Sequence, residues 1–305
     1  MNKKLFLFLP LLAGVCWGGG GTYVRILNGF GLDSVSILGT RFALATLILF
    51  IGILIFNRKL FKIKLKDIWL FIGSGITGVL FLNLCYNEAS FTLTLSLAAV
   101  LLSLAPIFAL FISAILFKEK ITQKKIICLI IAIFGCILVT GVLESTAGIP
   151  LSLHGFLFGV LSGLFWALYG VFSKIATEKG YPSFTTIFYS FLLISIVLIP
   201  ITDWGCFESF ISSNPSYGIT FAFFHSLTTS ILPYLLFTLS LKYIENGQAS
   251  IICGGAEPLS ATFFGFLIFQ ENPTLLNLIG IIITIIAISI LISSSESGEQ
   301  NDRFI

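Results

Sequence analysis

Residues Ser96 to Thr122, SLAAVLLSLAPIFALFISAILFKEKIT, return at Gln248 to Thr274 as QASIICGGAEPLSATFFGFLIFQENPT. Pairing residue n with n+152 needs no gap and makes six positions identical: Pro106/Pro258, Ala109/Ala261, Phe111/Phe263, Phe117/Phe269, Glu119/Glu271 and Thr122/Thr274. In a chain with 32 phenylalanines, shared apolar residues carry little weight. The signal is the shared internal proline and the Phe-x-Glu-x-x-Thr ending. A second offset, 149, matches Gly14/Gly163, Trp17/Trp166, Gly21/Gly170, Ile26/Ile175, Gly31/Gly180, Ser34/Ser183 and Phe42/Phe191. The chain reads as two copies of one design.

Of its 305 residues 57% are hydrophobic and only 10% charged, with a mean hydropathy of +1.05. Soluble domains carry about 25% charged residues, so this chain cannot coat a water-facing surface and reads as a polytopic membrane protein. Its +3 net charge gives no reason to expect nucleic acid. The six cysteines form no C-x-x-C, so neither a disulfide framework nor a zinc site is expected, nor any cofactor. The start, MNKKLFLFLPLLAGVC, imitates a secretory signal. Val15 stands where a small residue should precede Cys16, so it reads as an uncleaved first membrane helix.

Apolar runs of about 20 residues can cross a bilayer as helices. Ten are expected: 5–25, 34–56, 67–88, 94–117, 124–143, 153–175, 183–203, 218–242, 248–269 and 274–294. With the N-terminus in the cytoplasm, fifteen of the 17 Lys and Arg residues fall inside, leaving Arg25 in an outer loop and Arg41 within the second helix. This predicts an all-α membrane protein with both termini inside. Each half holds an odd number of helices, so the second enters the membrane upside down. Accordingly the basic FKEKITQKK has a counterpart, FQENPTLLN, without lysine. The expected organisation is a first five-helix repeat at 1–147, an inverted second repeat at 148–294 and a disordered tail at 295–305. Inverted repeats are the architecture of secondary transporters, with the substrate near the midplane.

The paired five-helix halves, Trp17-Gly18 in the first helix, Arg41-Phe42-x-x-Ala45 in the second, Glu257-Pro258 in the ninth and the Phe-x-Glu-x-x-Thr ends resemble the drug/metabolite transporter superfamily, specifically ten-helix EamA-type permeases. The resemblance covers residues 5–294. It implies a central cavity surrounded by helices 1–4 and 6–9, with helices 5 and 10 peripheral, and a multi-pass protein of a bacterial-type cell membrane. The partners expected are a small-molecule solute and the lipid bilayer, with protons as the candidate coupling ion and a monomer or homodimer as the assembly.

Glu257 is the most informative residue. It falls near the bilayer centre, where a carboxylate is costly unless it faces a cavity or partner, and its repeat partner is Ala105. It reads either as a proton-titrating group or as a packing device beside Pro258. Arg41 either binds a carboxylate or phosphate, snorkels outward, or pairs with Glu88. Asn83, Tyr86 and Asn87 form a polar, aromatic face, and the adjacent Glu88 either tunes the substrate or sits in the outer water layer. His225 is either a titrating group or a packed histidine. Trp17, Trp166 and Tyr169 form either an aromatic wall able to hold an ammonium or plain packing. Glu119 and Glu271 read as structural.

The function expected is secondary-active transport of a small organic metabolite by alternating access, with an amino acid or related zwitterion exported. The rival is import or exchange of cationic amines or drugs on the same scaffold. A membrane-embedded enzyme is the remote alternative: H-E-x-x-H and G-x-G-D are absent, and Ser103 and Ser260 have no visible base.

Overall fold

The computed structural model describes residues 3–93, 95–140, 142–144, 152–270 and 272–302. All regular elements among them are helical. Eight helices are long and apolar enough to cross a membrane: α1 Phe6–Gly29, α2 Ser34–Phe56, α3 Leu65–Ser90, α4 Ala98–Phe117, α6 Leu153–Glu178, α7 Ser183–Ile201, α8 Pro215–Ser240 and α9 Asn246–Phe269. Two more complete the order. α5, Gln123–Val139, has 17 residues, and α10, Leu275–Asp302, is apolar over Leu275–Leu291. These two pack along each other more extensively than any other pair and lie to one side. α10 also carries helix through residues 295–302, where the sequence suggests disorder; an apolar helix already nucleated propagates cheaply into polar residues. Glu271, the join between the halves at 147/148 and Arg303 lie outside the described residues.

Hydropathy places the helices and side-chain caps set their ends. Asp33 Oδ1 accepts the Ser36 N–H at 3.0 Å, Thr122 Oγ1 that of Lys125 at 3.3 Å, and Ser152 Oγ that of Gly155 at 3.2 Å. Asn214 likewise caps α8 at Tyr217, three residues before the expected start. A short helix, Trp204–Ser213, fills the link before α8 and buries Phe210 against Leu27, Leu32 and Ile37. Phe50, Ile115, Ile130, Ile196 and Leu267 point outward, as lipid-facing residues must.

The links sort onto two ends. At the N-terminal end Phe6 stacks on Tyr243 at 3.5 Å, and Lys179 donates to Asp67 Oδ1 at 2.6 Å. There too Lys125 forms an ion pair with Glu245. At the other end Asp203 N–H donates to Ser36 Oγ at 2.9 Å, and Asn277 Nδ2 donates to Leu138 O and Val139 O. The links at the N-terminal end carry Arg58, Lys59, Lys62, Lys64, Lys118, Lys120, Lys124 and Lys179; no lysine lies in the links 30–33, 202–214 or 270–274 at the other.

Residues 149 apart in sequence meet each other. Trp17 and Trp166 are edge-to-face at 4.7 Å, Phe42 and Phe191 are 5.0 Å apart, and Thr46 Oγ1 shares a 3.0 Å hydrogen bond with Ser195 Oγ. The only positive-φ residues described are Gly31 and Gly180, at φ 93° and 86°, and Lys118 and Gln270, at φ 55° and 56°. Both pairs are related by the sequence offsets. So are two close approaches: a Cβ on Gly14 would lie 2.5 Å from Cys253 O and 3.2 Å from Glu257 N, and one on Gly163 would lie 3.3 Å from Leu101 O and 3.2 Å from Ala105 N. Finally α3 and α8 each contain a π-helical stretch, Gly73–Leu80 and Leu227–Ile231. In α8 it precedes Pro233, whose missing N–H breaks the regular ladder.

Because the Gly14 site faces backbone, which cannot rotate away, Gly14→Ala should lower stability by about 1–3 kcal/mol. The thermal midpoint of the detergent-purified protein checks this, with Gly52→Ala, which meets nothing within 4 Å, as the neutral control. Equal midpoints for both would show that α1 does not sit this close to α9.

Glu119 supplies a second test. Its carboxylate accepts the backbone N–H of Asn246 at 2.9 Å and of Gly247 at 3.3 Å, so it caps α9 from the end of α4. Burial raises its pKa, opposed by those two N–H bonds. The native state therefore holds this proton more tightly than the unfolded chain. The contribution to stability is full below the unfolded value and is lost as pH rises through the native one. Glu119→Gln, which cannot ionise, should flatten that part of a stability–pH profile, and an unaltered profile would place the carboxylate elsewhere.

Candidate functional site

Trp17 of α1, Trp166 and Tyr169 of α6, and Tyr234 and Phe237 of α8 converge at the centre of the bundle. Trp17 touches Trp166 and also Tyr234, at 4.9 Å edge-to-face. Trp166 stacks on Tyr169 at 5.5 Å, and Tyr169 meets Tyr234 at 5.0 Å. The Tyr169 hydroxyl is satisfied by Thr238 Oγ1 at 2.6 Å, so Tyr169 is a locked, fully buried post. Trp17 is only partly buried, which leaves its ring as the accessible face of the cluster.

Glu257 lies beside this cluster on α9. Tyr86 of α3, Cys136 of α5 and Tyr234 of α8 are each close enough to feel its charge. Its carboxylate has no hydrogen bond or ion pair among the described residues, and it is partly open rather than sealed. Nor is it occupied in repairing the backbone at Pro258. The carbonyl that Pro258 leaves free, Gly254 O, accepts the Cys136 thiol at 3.8 Å, while Ser260 Oγ donates to Glu257 O at 3.0 Å. A carboxylate so placed, near the middle of a helix whose ends lie at opposite ends of the bundle, can exchange a proton or accept a cationic group.

Arg41 also lies near enough to Tyr234 to interact with its hydroxyl. Its guanidinium sits 4.6 Å over the Phe42 ring and Nε is buried without a partner. It lines one cleft with His225, between α2 and α8. The alternative pairing of Arg41 with Glu88 is not made. Glu88 Oε1 is 2.9 Å from His154 Nε2 at the start of α6, with both side chains exposed, 43% and 55%, at the end of the bundle away from the N-terminus. Such pairs are solvated surface contacts. Asn83 spends its amide on its own helix, donating to Val79 O at 2.8 Å, and Asn87 is partly buried with no hydrogen bond described.

The predicted residues thus fall into three places: Trp17, Trp166, Tyr169, Tyr86 and Glu257 at the centre, Arg41 with His225 in the neighbouring cleft, and Glu88 at the rim. Sequence reasoning missed Tyr234, which touches the rings of Trp17, Trp166, Tyr169, Phe42 and Phe191 and lies near both Arg41 and Glu257. Its repeat partner emerges only from the structure. The π-helical stretches end at Leu80 and Ile231, an offset of 151 that pairs Tyr234 with Asn83.

The model of the EamA-like transporter family matches residues 4–141 and again residues 153–293. The chain belongs to the EamA-like transporter family. It is 30% identical over 297 residues to an uncharacterized transporter of Archaeoglobus fulgidus, covering 96% of this chain and 99% of that one. It is 27% identical to the transporter YxxF of Bacillus subtilis, over 92% of this chain and 87% of the relative. With the mouse nucleotide sugar transporter SLC35D2 it shares 23% identity, over 84% and 78% of the two chains. A solved crystal structure superposes with a TM-score of 0.75 at 13% identity, covering 95% of this chain and 96% of that one, a likeness of fold. This EamA-family chain is therefore a multi-pass membrane protein of the transporter type, within the drug/metabolite transporter superfamily.

The geometry ranks the aromatic and rim residues. Tyr234→Ala removes a buried ring from five aromatic contacts and should cost about 3–5 kcal/mol. Glu88→Ala should cost no more than about 1 kcal/mol. Thermal unfolding in one detergent compares them directly, and a larger loss for Glu88→Ala would reverse the assignment of centre and rim.

Proposed function

We propose that this protein is a secondary-active exporter of a small zwitterionic metabolite, an amino acid or close relative, that works by alternating access with Glu257 as the proton-carrying group. Two inverted five-helix repeats, 1–147 and 148–294, with ten crossings and both termini in the cytoplasm, form the rocking scaffold. The meetings of Trp17 with Trp166, Phe42 with Phe191 and Thr46 with Ser195 support that reading, because residues facing their own repeat copies lie along a pseudo-two-fold axis. The basic N-terminal end belongs in the cytoplasm by the positive-inside rule.

One observation carries the chemistry. Glu257 and Arg41 both lie near Tyr234, each near enough for its charge to act on it and neither ion-paired among the described residues. A zwitterion laid across Tyr234 matches both charges, its ammonium toward Glu257 and Trp17 and its carboxylate toward Arg41. A cationic amine is the second reading, favoured by the unpaired Glu257 beside the open face of Trp17. The uncompensated Arg41 opposes it.

Glu257→Gln keeps the shape and removes the titration. In proteoliposomes it should abolish solute flux driven by a pH gradient while leaving solute exchange at equal pH. Gradient-driven flux equal to that of the unaltered protein would remove Glu257 from the coupling role. Competition by amino acids against quaternary amines separates the two substrate readings.

A further inference from the structure

Two nitrogens from distant parts of the chain are buried against one cleft without a hydrogen-bond partner. Arg41 enters from α2 and His225 from α8, 184 residues apart in sequence. Arg41 Nε and His225 Nε2 are both shielded from solvent, and neither has a hydrogen-bond partner among the described residues. His225 is only 2% exposed and lines the cleft with Arg41 and the polar Thr40 and Ser226. The imidazole is held in place: it stacks on Tyr23 at 5.0 Å and 18°, and the Thr229 hydroxyl donates to its backbone carbonyl at 2.6 Å. Leu27, Leu44 and Ala222 supply the apolar walls.

A buried arginine Nε and a buried histidine Nε2 left without partners along one cleft are costly unless something supplies those partners. A cation would meet the like charge of Arg41 there. Water could serve one nitrogen at a time and would leave the guanidinium charge unbalanced. A planar or tetrahedral oxyanion offers several acceptors and a charge, and the arginine fork matches it bidentately.

We propose that Arg41 and His225 form an oxyanion site between α2 and α8 that takes a carboxylate or phosphate group. The proposal deepens the transport reading, on which it rests for the identity of the oxyanion as part of the solute; the site itself stands on the cleft. Arg41 supplies the charge and the fork. His225 supplies a second donor at a fixed position and so selects an oxyanion over chloride.

The test is thermal unfolding of the full chain in neutral detergent, titrated with sodium acetate or inorganic phosphate against sodium chloride at matched ionic strength. Acetate or phosphate should raise the midpoint saturably and chloride should not. The apparent affinity should fall at least tenfold in Arg41→Gln and at least tenfold in His225→Gln. If Arg41→Gln does not yield folded protein, Arg41→Lys replaces it and should show the same loss, because a point charge lacks the fork. A parallel titration with phosphatidylglycerol micelles identifies the source. Stabilisation by that lipid alone, lost in both variants, supports the oxyanion site with a headgroup as its occupant. Stabilisation by no oxyanion, or by one whose effect is equal in all variants, overturns the proposal. Glu88→Ala, at the rim, should retain the acetate or phosphate response. Loss of pH-driven flux with anion binding intact leaves this site standing, and failure of anion binding with coupled flux intact removes this site and leaves the transport reading.

Discussion

Gly14 brings the backbone of α1 against that of α9, and Gly163 does the same between α6 and α4. In lipid there is no hydrophobic force between apolar helices, so association depends on close packing, which small residues permit. These two approaches fix more than helix spacing. Trp17 and Trp166 lie three residues beyond the two glycines, almost one turn on, so both rings are delivered to the same depth and meet at 4.7 Å. Glu257, whose backbone nitrogen lies beside the Gly14 site, is held at that depth by the same contact. Its position beside the aromatic cluster is therefore a consequence of backbone packing.

That packing also explains how the centre is filled. Tyr169 and Tyr234 are buried with their rings in contact, and Trp17 alone of the ring cluster around them is only partly buried. A solute at that ring would exchange one aromatic contact for another with little change in buried area. The arrangement suits a carrier, which must bind its cargo well enough to select it and weakly enough to release it.

The membrane class and most helices were legible because bilayer thickness imposes run length and the repeat imposes pairing. Helix ends were less legible. Asn214 and Ser152 start helices through local hydrogen bonds that hydropathy does not register. The site was readable only in part. Trp17 and Trp166 stood out because their 149-residue spacing held without a gap. Tyr234 was hidden because its counterpart is Asn83, a different residue type at a different offset. The Glu88–His154 and Arg41–His225 relations could not be read at all, since no periodicity says which faces of separate helices, or which two loops, converge.

The same reasoning applies to the ends of the bundle. Lys125 and Asn277 occupy equivalent positions, 152 residues apart, at the starts of α5 and α10. Lys125 Nζ donates to Lys120 O at 2.8 Å and pairs with Glu245, tying α5 to the start of α9. Asn277 Nδ2 donates to Leu138 O and Val139 O, tying α10 to the end of α5. Each side chain anchors the start of its helix to a neighbour, yet one is charged and the other neutral. In the proposed orientation the difference has one cause: lysine is favoured in the cytoplasmic links and disfavoured in the outer ones. The anchoring role passes to an amide, which supplies the same donors without the charge. Packing demands the symmetry of the two halves, and the membrane's sidedness breaks it.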